Sequence, residues 1–556
     1  MLHQLYRYAN DHDLAVKYGF TQDKCKWMID LDHDGEFLSL RKIDEEIPLC
    51  PKYPSNLMTA GGRAHFLLEA FNKIDLDYFI GLIAQAAEVE PLFLAVSSFL
   101  RNEEQKETLQ EHMDAKKAKL TEKVTFSVDG VYLVGLTSWH DWWQEHVRKE
   151  SGGGASKGGE MLCLLDGMPT VPVERHFNKI KGFKDDSVLI GFDKESFQSY
   201  GLEASTNAAM STNAMLTYTT ALNHMIQSAA KPLGNVLILH GYDKPVPLDN
   251  DLFNFLGEID SGGDKAVQAN AERQLKTLVE AVRRSERPEY LQNRYYVIMV
   301  TGASRRVMVR DYFEGDCRQL ADSFNAWFGD MSLVSASEKG DANTPKLSGM
   351  LTRLVSFREG DGKIFQRVGD ELSSIIPVIW RSVLTGTPLP DTIASKALNH
   401  LRSRLLKTEK SIPDTIACMW LKIWLTRGGK TMTKGLNRDE TSQAYHMGRL
   451  LAVYAKLQED ANPGVNVGVG QRYFASASTT PALVLGRLAT LSNHHLAKLG
   501  DGAAVWYKQQ LQEVAGNIRT ALPDVMSLKD QSLFALGYYH QMADFYKGKS
   551  PKNKEE

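Results

Sequence analysis

Asp30-Leu31-Asp32-His33-Asp34-Gly35 sets carboxylates and a glycine in the order that opens a calcium-binding EF-hand loop. The twelfth position of such a loop must supply a bidentate glutamate, and here it is Arg41, so the segment reads as a hairpin turn. Gly429-Lys430-Thr431 has the ending of a phosphate-binding loop, but the first glycine of that motif would fall at Trp424. Without the glycine cradle, backbone amides cannot wrap a phosphate. His140, Asp141, Glu145 and His146 bring four possible metal ligands together, which supports one reading as a metal-dependent hydrolase using His140, Asp141 and His146. Spacings of five and six residues do not share one helical face, and Trp139, Trp142 and Trp143 point instead to a segment packing aromatics. No H-E-x-x-H, G-x-S-x-G or G-x-G-x-x-G unit occurs, nor a compact acidic-plus-lysine set for Mg²⁺. The expectation is a non-enzyme without metal or cofactor.

Cations supply the other candidates. On a helix starting near Asp391, Lys396, His400, Arg404, Lys407 and Lys410 fall in one narrow arc that no acidic residue interrupts. Such an arc can track a phosphate backbone or simply be a solvated helix face. Arg472, later in the chain, is grouped with it. Arg305, Arg306 and Arg310 follow a strand, where Arg306 and Arg310 share a surface because side chains alternate. Arg175, Lys179, Lys181 and Lys184 follow a glycine-rich segment, Ser151 to Gly159, that contains Lys157. Asn56 with Gly61-Gly62-Arg63 combines close backbone approach with amide and guanidinium donors, the means by which proteins read groove edges. All three groups are equally compatible with edge charges and turns.

The elements that must position these groups change along the chain. Lys26–Asp30 and Glu36–Leu40 alternate as hairpin strands, a helical stretch follows from about Tyr78 to Lys123, and strand patterns return at Val124–Leu136 and Ser187–Phe192. A helix capped by Ser211 or Thr212 carries Met215, Tyr218, Leu222, Met225 and Ile226 on its core face. Strands are expected at Asn235–His240 and Arg294–Val300. After about Gln366 the pattern is helical. Met447, Leu450, Leu451, Tyr454 and Leu457 form one stripe; Val484, Leu488, Leu491 and Leu499 form another, started by Thr480-Pro481 and stopped by Gly500. A last helix starts at Ser527 with Asp530 as its capping partner and buries Phe534, Tyr538 and Phe545. The fold class is an α+β N-terminal region, residues 1–365 and open to division into two subdomains, followed by an all-α helical-bundle domain, residues 366–556.

With 556 residues the chain exceeds one ordinary core. Its 43% hydrophobic and 24% charged content is globular. The longest charge-free run, Ala204 to Ala230, is full of Ser, Thr and Asn, so no membrane span is expected and the protein reads as cytoplasmic. Cys25, Cys50, Cys163, Cys317 and Cys418 are scattered, which fits buried reduced thiols. A net charge of −3 confines any nucleic-acid surface to local clusters.

Four ordered segments near the end, Gln443-Ala444-Tyr445-His446-Met447-Gly448-Arg449-Leu450-Leu451-Ala452-Val453, Gln471-Arg472-Tyr473-Phe474-Ala475-Ser476-Ala477-Ser478, Asn493-His494-His495-Leu496-Ala497-Lys498-Leu499 and Gly537-Tyr538-Tyr539-His540-Gln541, resemble the large subunit of type I-C CRISPR Cascade. Phe197-Gln198-Ser199-Tyr200-Gly201, Asn207-Ala208, Tyr218-Thr219-Thr220-Ala221-Leu222-Asn223 and Leu384-Thr385-Gly386-Thr387-Pro388 are similar to the same family's F-x-S-Y-G, N-A, Y-T-x-A-L-N and L-T-G-x-P segments. Where the family usually has a D-N-x-x-Y-V-L-G-like segment, this chain has Ser55 to Gly62. The resemblance implies a non-catalytic large subunit. Its N-terminal part would read the PAM on double-stranded DNA and help open the duplex for guide RNA, and its helical part would lie along the displaced or target strand. The partners implied are CRISPR RNA, target DNA, the backbone subunits, the subunit capping the RNA 5′ handle and a recruited helicase-nuclease. A small subunit made from an internal start is also implied, with Met419, Met432 and Met447 as candidate starts. A purely architectural helical subunit is the remaining alternative.

Overall fold

The computed structural model describes residues 1–546 apart from 13, 15–17, 53–66, 151–159, 174–178, 184–186, 193, 229, 234, 248–249, 256–273, 275, 304–305, 337–339, 408–411 and 465–466. The chain divides into two compact units, residues 1–229 with 302–308 and residues 230–301 with 309–556.

Unit 1 begins with α1 (Leu2–Asp11) and the expected hairpin, β1 (Phe20–Leu31) and β2 (Phe37–Pro51), paired antiparallel. The Asp32 carboxylate accepts the Asp34 and Glu36 amides at 3.0 and 2.8 Å, so the supposed calcium ligand closes its own turn. Gly35 sits at φ +87°, and a β-carbon there would overlap the Ala95 carbonyl; only glycine meets both conditions. β3 (Glu69–Ala70) precedes α2 (Asp77–Ala86), α3 (Phe93–Arg101) and α4 (Glu103–Lys116), which break the long expected helical stretch into three. β4 (Lys123–Val128) then inserts beside β1 in parallel, giving the order β2-β1-β4-β3 with β5 (Val131–Tyr132) on β4. The core between sheet and helices joins Ile29, Leu31, Phe79, Phe99 and Phe126, all nearly or fully buried. α5 (His140–Glu150) adds Trp143 and Val147 to it, β6 (Met161–Leu162) pairs with β7 (Pro169–Thr170), and α6 (Thr212–Ser228) packs on α1. The Ser211 hydroxyl accepts the Ala214 amide at 3.0 Å, the cap expected of it.

In unit 2 four strands run in the order β11-β10-β9-β8: β8 (Lys231–Leu233), β9 (Val236–Tyr242), β10 (Arg294–Ala303) and β11 (Arg306–Asp316), with the hairpin tip at 302–308 belonging to unit 1. Residues 276–283 form α7, and α8 (Cys317–Met331), capped by Asp316, buries Leu320, Phe324 and Trp327 in one core with Val297 and Met299 of β10. Helices continue as α9 (Leu347–Leu351), α10 (Ile364–Leu372), α11 (Ile376–Thr385), α12 (Asp391–Lys407), α13 (Thr415–Arg427), α14 (Gln443–Ala461), α15 (Val469–Ala477), α16 (Pro481–Leu496), α17 (Asp501–Gly516) and α18 (Leu528–Tyr546).

The helical region corrects two expectations. α14 has no single stripe: every residue from Ala444 to Leu457 is buried, because α15, α16, α17 and α18 all pack on it. Gly500 does not stop α16, which ends at Leu496; it is the N-cap residue of α17. The start of α18 is as expected, with the Asp530 amide donating to the Ser527 hydroxyl at 3.2 Å. The five cysteines are buried and unpaired, and no described helix is long and apolar enough to cross a membrane.

Candidate nucleic-acid interface

Lys179, Lys181 and Arg306, members of two of the basic clusters, lie in unit 1. Lys179 and Lys181 are exposed, and Ile180 between them is buried. Asn223 of α6 fixes this segment, accepting the Lys181 amide at 2.7 Å and donating to the Lys179 carbonyl at 3.0 Å. The Ile180 amide then donates to the Ser187 carbonyl at 2.7 Å, and Val188 bridges Arg306, with the Val307 amide donating to the Val188 carbonyl at 3.0 Å. The strand expected over Ser187–Phe192 is reduced to this one bridge. Arg306 is exposed and holds its guanidinium 5.2 Å from the Phe197 ring centroid. Arg310 belongs to unit 2, where it is exposed and donates to the Thr301 hydroxyl at 2.8 Å. Asn56, Gly61, Gly62, Arg63, Lys157, Arg175, Lys184, Arg305 and Lys410 lie outside the described residues.

The arc on α12 is not a free basic stripe. His400 is 2% exposed, its Nδ1 sits 2.8 Å from the Val355 carbonyl, and burial pushes its pKa down to about 4, so it is neutral. Arg404 is ion-paired with Asp414, which also accepts from Arg353 Nε at 3.3 Å and from the Ala417 amide at 2.9 Å as the cap of α13. Helical periodicity places residues on a face but says nothing of a carboxylate brought in by the next turn of chain. Lys396 is half-buried and Lys407 exposed.

A stretch that sequence reasoning passed over is more consistently basic. From Ala461 to Gly500 there is no Asp or Glu, and the cationic types are Arg472, Arg487, His494, His495 and Lys498. Arg472, Arg487, His494 and Lys498 are exposed. On α16 Arg487 and His494 lie seven residues apart on one face, with exposed Gly486, Thr490 and Asn493 leaving room around them. Lys498 donates to Asn462 at 2.7 Å. The legible signal was the missing carboxylates, not a run of cations.

The supposed metal ligands separate. His140 is buried with Nε2 3.2 Å from the Val134 carbonyl and its ring edge-on to Phe20, whereas His146 stacks on Trp142 and Trp143 and Asp141 is exposed. Among the described residues no three His, Cys, Asp or Glu side chains group as a metal site.

The motif residues near the end are committed to each other. Arg449 is fully buried, donating to Gln541 at 2.9 Å and to both Glu513 oxygens at 3.1 and 2.8 Å; its Nη1 lies 3.1 Å from His446 Nδ1. Tyr445 pairs with His540 at 2.9 Å, and burial pushes His540 down to about 3. These groups hold α14 to α18 and α17.

A CRISPR-associated protein is the class that the sequence comparison defines for this arrangement. The family described as CRISPR-associated protein (Cas_Csd1) matches residues 2–546, and the chain belongs to it, a family of Cascade subunits. No curated protein matches the chain.

Proposed function

We propose that the chain is the non-catalytic large subunit of a type I-C CRISPR RNA-guided surveillance complex in the cytoplasm. It recognises the PAM in double-stranded DNA, promotes duplex opening and R-loop formation, stabilises the displaced strand and recruits the helicase-nuclease. The family match over residues 2–546 carries this reading. Its partners are CRISPR RNA, the backbone subunits, the subunit capping the 5′ handle and a small subunit translated from an internal start, equivalent to the helical region of residues 366–556.

Local charge supports the division of labour. Strand exchange between a DNA duplex and an RNA–DNA hybrid is nearly balanced, so a few well-placed cations tip it, and a chain of net charge −3 needs no more than that. Lys179, Lys181, Arg306 and Arg310, together with PAM-reading candidates Asn56, Gly61, Gly62, Arg63, Lys157 and Arg175, serve the duplex. Arg472, Arg487, His494 and Lys498 serve a single strand, with Lys407 beside them in role.

Crosslinking of the assembled complex to a PAM-containing duplex tests the reading. Crosslinks in residues 1–310 that vanish with a scrambled PAM are expected; none in that range contradicts the PAM role. The purified chain alone is expected to show neither nuclease nor ATPase activity.

A further inference from the structure

Tyr200 is 99% exposed, and its backbone is in the left-handed region at φ 56°, where a β-carbon is crowded. Gly201 follows at φ 72°, and the Leu202 amide donates to the Ser199 carbonyl at 3.0 Å. Two central residues at positive φ under one such bond make a type I′ turn, which is usually built from Asn and Gly. Here its first central place holds a tyrosine with its ring in water.

Asn207 locks the turn. Its Oδ1 accepts the Ser199 amide at 3.1 Å, and its Nδ2 donates to the Leu202 and Ala204 carbonyls at 2.9 and 3.0 Å. Strained backbone persists only where its surroundings over-determine it, and it gathers at ligand clamps. Phe197, three residues earlier, is 39% exposed and carries Arg306 over its ring. Lys179 and Lys181 stand on the segment that reaches Arg306 through the Val188 bridge.

A large ring left in water forgoes the burial that ordinarily draws tyrosine into a core. A flat π-face with a guanidinium and lysines at hand matches a nucleobase, which stacks on the ring while its phosphate meets the cations. Paired bases within a duplex offer no open face, so the base must be unpaired. Glu195 and Glu203 flank the turn in the chain and are exposed; they oppose phosphate at the flanks and leave Arg306 as the cationic anchor.

We infer that the Phe197–Gly201 turn is a stacking platform for an unpaired nucleobase, with Tyr200 taking the base face and Arg306, seated on Phe197, its phosphate. The inference rests on the reading of the chain as a subunit that handles opened DNA.

The test uses the assembled complex and a single-stranded oligonucleotide carrying 5-iododeoxyuridine. Irradiation should place the crosslink on Tyr200. Tyr200→Ala should lower affinity roughly ten-fold while Tyr200→Phe stays within about two-fold of wild type. Arg306→Gln should reduce the salt slope by about 0.7. Tyr200→Asn, which suits the left-handed backbone, should lose affinity while unfolding at the wild-type temperature. Wild-type binding by Tyr200→Ala, equal losses in the Phe and Ala variants, or an Ala variant that binds DNA normally but assembles poorly with the other subunits overturns this inference alone. A wild-type complex that binds no opened DNA overturns the functional reading and this one with it.

Discussion

Gly448 of α14 lies so close to the Phe534 carbonyl of α18 that a β-carbon there would overlap it, and Gly537 of α18 stands the same way against the Tyr445 carbonyl of α14. The reciprocal pair lets two helix backbones meet without side chains between them, and it sets Tyr445 against His540 and Arg449 against Gln541.

Replacing either glycine by alanine must push backbone from backbone. Gly448→Ala and Gly537→Ala should each destabilise the protein by about 3 kcal/mol, with a double variant losing less than the sum because both act at one crossing. Gly486→Ala, with nothing within 4 Å of its added β-carbon, should be neutral or gain up to about 1 kcal/mol. Denaturant unfolding followed by circular dichroism measures all four.

Acid should unfold unit 2 through its buried imidazoles. His400 at about 4 and His540 at about 3 are held neutral chiefly by burial, below their unfolded value of about 6.5. Their contribution is therefore complete above pH 6.5 and is lost as pH falls from there toward the folded values. At pH 5 the loss is about 2 kcal/mol per ring. His540→Asn should flatten the fall in unfolding free energy between pH 7 and pH 5; an unchanged slope contradicts the assignment.

Charge reversal on α12 should give two different outcomes. Arg404→Glu faces the buried Asp414 carboxylate, 3% exposed, and should cost about 1–2 kcal/mol of stability after allowance for the partial exposure of Arg404. Lys407→Glu should leave the unfolding temperature unchanged and weaken strand binding only. Thermal unfolding and filter binding on the same preparations separate the effects.

The acid-free stretch that carries α15 and α16 should bind phosphates. Replacing Arg472 and Arg487 together by Gln should lower the slope of log affinity against log salt by about 1.4 for a single-stranded oligonucleotide, at about 0.7 for each phosphate no longer neutralised. An unchanged slope would remove this stretch from the interface.

Much of the framework was legible because its physics is local. The Asp32 to Gly35 turn and the Ser211 cap are decided by neighbours within a few residues. What escaped depends on distant chain. α14 reads as striped but is buried all round, since four other helices cover it. His400 and Arg404 share an arc with Lys407, but Val355 and Asp414 claim them. Val188 and Arg306 meet across more than a hundred residues, so no spacing could have joined their clusters. The exposure of Tyr200 was equally hidden, because Ser-Tyr-Gly does not announce a turn held open by Asn207.

Duplex opening by the assembled complex, with and without this chain, tests the central claim most directly. A target duplex carrying 2-aminopurine next to the PAM should brighten only when the chain, CRISPR RNA and an intact PAM are all present. Equal brightening without the chain, or with the PAM scrambled, would contradict its role as the PAM-reading large subunit.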